Sequence, residues 1–125
     1  MRLLLDSHVL LWWVDEPARL ASPLRNIMHD PANEVFFSPA SIWELGLKMA
    51  KGKLRLPLDL VPALESDGIV ELPISAAHAT RTLTLPTVHF DPFDRLLIGQ
   101  ALVEGLVLAT RDETIHRYDV PVIEA

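Results

Sequence analysis

Short apolar runs recur along the chain, at Arg2 to Leu5, Val35 to Phe37, Ile69 to Leu72, Leu106 to Ala109 and Val120 to Ile123, and stretches with helical spacing separate them. Runs this short, apolar at nearly every position, belong to strands buried on both faces. Their alternation with helices predicts an α/β fold with a central, mainly parallel sheet between two helical layers, a three-layer α/β/α sandwich with right-handed crossovers. Half of the 125 residues are hydrophobic, enough for a core in one domain spanning 1–125. The chain has no cysteine, so neither a disulfide framework nor a thiolate metal site enters, which suits a reducing cytoplasm.

The helices announce their ends. A turn at Asp6-Ser7 leads into a helix carrying Val9, Leu10, Trp12, Trp13 and Val14, in which both tryptophans read as packing residues. Ser22-Pro23 opens a helix to Asp30, and Ser38-Pro39 opens another that Gly52 stops. Helical segments follow at Pro57 to Ser66 and, after Ser75, through Leu83. In the stretch from His89 to Ala101, Asp91 caps a helix with Pro92 at its first position, and Gly105 closes it after Glu104. A short final helix runs through Tyr118.

Charge and hydropathy narrow the partners. The formal charge of −6 argues against whole-surface attraction to nucleic acid. The basic residues Lys48, Lys51, Lys53 and Arg55 nevertheless fall close together, and such a strip either borders a solvated helix end or serves a polyanion. Asp6 and His8 interrupt the opening apolar run before it reaches the length of a signal peptide, and no apolar run is long enough to span a bilayer.

In an open α/β sheet, the residues just past the carboxyl ends of strands and the first turns of the helices that follow line one crevice. Asp6 and Asp112 follow strands, Asp94 sits in the first turn of its helix, and Glu44 lies on the helix after the second strand. Each of the four has a local explanation as a cap or first-turn residue, among them Asp6 or Ser7 as a helix cap, Asp94 as partner of free backbone N–H groups, and Ser41-Ile42-Trp43-Glu44 as a capping box. Four local explanations converging on one mouth point to a shared function.

Crowded carboxylates repel. A pair about 4 Å apart, at an effective dielectric near 20, costs roughly 4 kcal/mol before counterions relax it. Raised, coupled pKa values in the metal-free chain and a cation among the acids are therefore expected. Oxygen donors alone, with no His-Glu-x-x-His pattern among His8, His29, His78, His89 and His116, select Mg²⁺ or Mn²⁺. Such ions activate water against a phosphodiester, and the expected products carry 5′-phosphate and 3′-hydroxyl ends.

Leu3-Leu4-Leu5-Asp6-Ser7-His8, Ser41-Ile42-Trp43-Glu44, Asp91-Pro92-Phe93-Asp94-Arg95-Leu96-Leu97-Ile98 and Thr110-Arg111-Asp112, in that order along essentially the whole chain, resemble the PIN domain. More narrowly they resemble the VapC-type toxins of toxin–antitoxin pairs. The resemblance implies a Mg²⁺- or Mn²⁺-dependent endoribonuclease, an antitoxin that blocks the site, and a homodimer. It carries the family's acidic quartet onto Asp6, Glu44, Asp94 and Asp112, with Asp6 and Asp94 as metal ligands, Asp112 completing the metal site directly or through water, and Glu44 positioning the metal or its water. Ser7 keeps the hydroxyl that many relatives supply as threonine, and Thr110 matches the hydroxyl residue two positions before the fourth acid. Lys48, Lys51, Lys53 and Arg95 are candidates for RNA contact, Arg95 equally for an ion pair with Asp94 or Asp91.

Three rivals stand beside this expectation. A phosphorelay receiver would need a phosphoacceptor aspartate after a middle strand and a lysine after the last, and this chain has neither. A catalytically silent PIN-like module acting through a partner has no reason to keep four mutually repelling acids. A structure-specific DNA nuclease would need extra elements to hold its strand.

Overall fold

The computed structural model describes residues 1–56, 59–88 and 91–125. The expected helix start at Pro57, and His89 and Phe90 of the central stretch, lie outside the described residues. Five strands, β1 (Arg2–Leu5), β2 (Glu34–Phe37), β3 (Val70–Glu71), β4 (Val107–Thr110) and β5 (Val122–Glu124), pair in parallel in the order β3-β2-β1-β4-β5. The helices are α1 (Ser7–Asp15), α2 (Ser22–His29), α3 (Pro39–Ala50), α4 (Leu60–Ser66), α5 (Ala76–Leu83) and α6 (Pro92–Glu104). The expected final helix is a single 3₁₀ turn at Ile115–Arg117, and a similar turn lies at Pro17–Arg19.

β1 runs through the middle of the sheet, and Leu3, Leu4 and Leu5 are fully buried. Successive strand side chains face opposite ways, so they enter two cores. Leu3 and Leu5 pack with Leu10, Leu24, Leu45 and Leu64 of α1 to α4, whereas Leu4 packs with Leu97 and Ile98 of α6 and with Leu108 and Tyr118. The layers follow: α1 to α4 over one face, α6 with α5 beside it over the other. The three-layer parallel sandwich expected from the apolar runs is the fold.

Side-chain caps hold the starts of α1, α3 and α6 where the sequence placed them, whereas Ser22, expected to cap α2, is its first residue, and the cap position, Ala21, has no side-chain acceptor to offer. Asp6 Oδ1 accepts from the Val9 N–H at 2.9 Å, Ser38 Oγ from Ala40 at 3.1 Å, and Asp91 Oδ1 from Phe93 and Asp94 at 2.9 and 3.2 Å. The expected capping box at Ser41 and Glu44 does not form. Ser38 is already the cap, so Ser41 lies inside the first turn, and Glu44 turns to another partner. A capping box closes instead between Ser75 and His78.

The order of the strands decides where a crevice opens. From β1 the chain first builds outward to β2 and β3, then returns to lay β4 and β5 on the opposite side of β1. The switch point lies between β1 and β4, past their carboxyl ends, where such sheets leave room for ligands. Asp6 follows β1 there, and Arg111 and Asp112 follow β4.

Candidate active site

An open cleft of about 460 Å³ lies at this switch point. Asp6, Glu44, Asp94 and Asp112 all line it, together with Asp91, His8, Trp12, Lys48 and Arg111. The four acids singled out in the sequence thus reach one cavity from four elements. Five carboxylates face the Lys48 ammonium and the Arg111 guanidinium, which leaves the cleft strongly anionic.

Asp6 is 6% exposed. Its Oδ2 accepts the Thr110 O–H at 2.5 Å, and its backbone N–H donates to the Ala109 carbonyl at 3.1 Å, tying the ends of β1 and β4 together. Burial raises its pKa above the ordinary aspartate value; the Thr110 and Val9 hydrogen bonds and nearby His8 pull it back, and Asp112 adds the smallest upward push. The expected rise is present at Asp6, but its main cause is loss of water and not crowding by the other acids.

Glu44, also 6% exposed, is held at both oxygens: Oε1 accepts the Ser7 O–H at 2.5 Å and Oε2 meets Lys48 Nζ at 3.2 Å. Thr110 serves two acids at once, since its oxygen also accepts the Asp112 N–H at 3.0 Å. Asp112 Oδ1 then accepts the Thr114 N–H at 2.8 Å. Asp94 stands half-buried in the first turn of α6. Ser7 and Thr110, each buried, fix the carboxylates of Glu44 and Asp6 respectively in a set orientation.

The basic candidates separate. Lys48 lines the cleft, while Lys51 and Lys53 lie exposed beyond the end of α3 and are not among the lining residues. Arg95 gathers the end of α5: Nη1 donates to the Pro86 carbonyl at 2.9 Å and the Tyr118 hydroxyl at 3.2 Å, and Nη2 to the Thr82 and Leu85 carbonyls, both at 3.3 Å. These bonds make it a clamp between helices, because a planar guanidinium satisfies several carbonyls at once. Three other lining residues had no place at the site in the sequence reading: His8, Trp12 and Arg111. Trp12 is no mere packing residue, since one part of it meets the core and another the cleft. The available signals were the i, i+4 spacing of His8 and Trp12 on one helix and the position of Arg111 beside Asp112.

Among the described residues, no three acids or histidines form a group able to hold a metal ion as the side chains stand. The donor chemistry nonetheless fits a hard cation. Every carboxylate offers oxygen, and Mg²⁺ keeps several of its waters while taking only one or two carboxylates directly.

Comparison with known proteins identifies the family and the fold. The family model for the PIN domain matches residues 3–121. Ribonuclease VapC22 of Mycobacterium tuberculosis (strain ATCC 25618 / H37Rv) is 30% identical over 124 residues, covering 95% of each chain. Two solved structures share the fold: VapBC2 from Rickettsia felis bound to a DNA fragment from their promoter, with a TM-score of 0.74 at 16% identity over 99% of this chain and 98% of that one, and DNA-bound VapBC from Salmonella typhimurium, with 0.71 at 15% over the same shares. With five parallel strands in this order, an anionic cleft at the switch point and a match over nearly its whole length, the chain belongs to the PIN-domain family and is related to the VapC toxins of VapBC toxin–antitoxin systems.

Proposed function

We propose that residues 1–125 form one PIN domain acting as a Mg²⁺- or Mn²⁺-dependent endoribonuclease, the toxin of a type II toxin–antitoxin pair. The observation that carries this is the convergence of Asp6, Glu44, Asp94 and Asp112 on one cleft in a chain whose relative over 95% of its length is named a ribonuclease. A divalent ion bound there would supply polarisation of water and stabilisation of the leaving oxygen of a phosphodiester.

The chain's own residues do the rest. Asp6 and Asp94 would hold the ion, Asp112 would complete the site directly or through water, and Glu44 would position the metal or its water. Thr110 aims Asp6 by its hydrogen bond and Ser7 aims Glu44 by its own. Lys48 sets the charge on Glu44 against its own ammonium, which lowers the repulsion a phosphate meets on entry. A cognate antitoxin, supported by the kinship with VapBC systems, would cover the cleft, and the chain would work as a homodimer in the cytoplasm, where its RNA lies. Among the described residues no helix is long and apolar enough to cross a membrane.

The test is cleavage of a mixed, labelled RNA pool by the purified chain with Mn²⁺, with chelator, and with Asp6→Asn or Asp94→Asn. Cuts that require metal and leave 5′-phosphates are expected, with each variant slowed on the order of a hundredfold, the scale of losing one electrostatic contact to a transition state. A folded, antitoxin-free chain that cuts no class of RNA would bring the silent binding module forward.

A further inference from the structure

Two arginines converge on Trp12. The guanidinium carbon of Arg19 lies 4.8 Å from a ring centroid of the indole and that of Arg111 4.6 Å. Arg111 is held unusually firmly for an exposed side chain. Its Nε and Nη2 donate to the main-chain oxygen of Ala125 at 3.2 and 2.6 Å, and Nη2 also donates to the Arg19 carbonyl. Its Nη1 has no hydrogen-bond partner among the described residues, and no acidic side chain there stands within ion-pair distance of it, although Asp112 is its neighbour in sequence and the cleft it lines holds five acids. Lys48, the other cation lining the cleft, is already paired with Glu44.

A guanidinium stacked on an aromatic ring and pinned by main-chain oxygens has lost its conformational freedom in advance, and its open edge keeps the directed donor that suits a phosphate oxygen. An anionic cleft otherwise repels the strand it must admit, so one fixed cation at its rim, facing no acidic side chain among the described residues with its Nη1 edge, provides an anchor. Resting on the ribonuclease reading, we propose that Arg111 binds a backbone phosphate of the RNA strand flanking the cleaved bond, and that Trp12 is a positioning residue that holds the guanidinium in place.

Steady-state cleavage of one RNA that the full chain cuts in Mn²⁺ tests this across a range of salt. Arg111→Gln is expected to raise KM roughly tenfold with kcat nearly unchanged, and to make the salt dependence of log(kcat/KM) shallower by about 0.7, the share of one phosphate in a single strand. Arg111→Lys restores the salt slope because it restores the charge, whereas a merely structural role would not be rescued by a side chain unable to span two carbonyls. Trp12→Leu raises KM in the same direction, and Trp12→Phe returns it toward the parent value. A neutral methylphosphonate placed at single linkages should weaken the parent chain at one position near the cut and leave Arg111→Gln indifferent there. Should Arg111→Gln fail to fold, Arg111→Lys and the linkage scan decide: a lost slope in the lysine variant, or no sensitive linkage in the parent, overturns the proposal. If the parent cleaves RNA and Arg111→Gln matches it in KM and slope, this inference falls and the nuclease stands. If the parent cleaves none, both fall.

Discussion

Asp6 caps α1 and is at the same time a buried acid of the cleft, and the two duties pull on its proton in opposite directions. The Val9 and Thr110 hydrogen bonds favour its charged form, yet burial outweighs them and leaves the pKa raised. Below the unfolded-state pKa the group is protonated in both states and costs the fold nothing. As pH climbs through the unfolded and then the folded pKa, ionisation favours the unfolded chain, so the destabilisation grows across that window and is fully present above the folded pKa. Asp6→Asn keeps an N-cap oxygen for Val9, and thermal melts of the metal-free chain should show it raising Tm at pH 7 with little effect near pH 3. A loss of Tm at both pH values would mean that the Thr110 bond outweighs the burial. The acid itself was legible from its place after an apolar run. Its fixed orientation was not, because Thr110 comes from a strand more than a hundred positions away. Arg95 illustrates the same limit: its charge suggested a phosphate or an ion pair with Asp94 or Asp91, and only the tertiary fold brought it the Thr82, Leu85 and Pro86 carbonyls and the Tyr118 hydroxyl.

Helix α6 shows how much an element discloses of itself. Its start at Asp91-Pro92 and its end at Gly105, where a φ of +66° turns the chain directly into β4, follow from cap and glycine chemistry. Gly99 lies inside the helix, where propensity alone disfavours glycine, and packing gives the reason for it. A Cβ there would lie 2.1 Å from Thr82 Oγ1 and 3.0 Å from the His78 carbonyl oxygen, so the missing side chain is what lets α5 lie close against α6. Gly99→Ala should destabilise by about 1–3 kcal/mol in urea unfolding, the usual cost of overpacking. Gly46 in α3 has nothing within 4 Å of where a Cβ would stand, and Gly46→Ala should stabilise by about 0.5–1 kcal/mol through propensity alone. The pair separates a glycine required by its neighbours from one that is not.

For the molecule as a whole, the proposed ion site would tie stability to divalent ions. A cation that binds only the folded chain adds about 2.7 kcal/mol at a hundred times its Kd. Saturating Mn²⁺ should therefore raise Tm by several degrees, chelator should reverse the rise, and Asp94→Asn should blunt it without needing any activity as readout. A chain whose melt ignores Mn²⁺ would lack the ion site proposed here. The family and the layered parallel sheet were readable because apolar runs, prolines and caps act over a few residues, and the order of four acidic motifs is preserved along the chain. Local physics likewise dictated where helices begin and which leucines face opposite cores. Only the tertiary structure decided that the cleft opens between β1 and β4, that Glu44 leans on Ser7 and Lys48, that Arg95 clamps carbonyls and that Arg111 rests on Trp12 at the rim. Those contacts join residues distant along the chain, and their energies depend on separations of a few ångströms that no local spacing encodes.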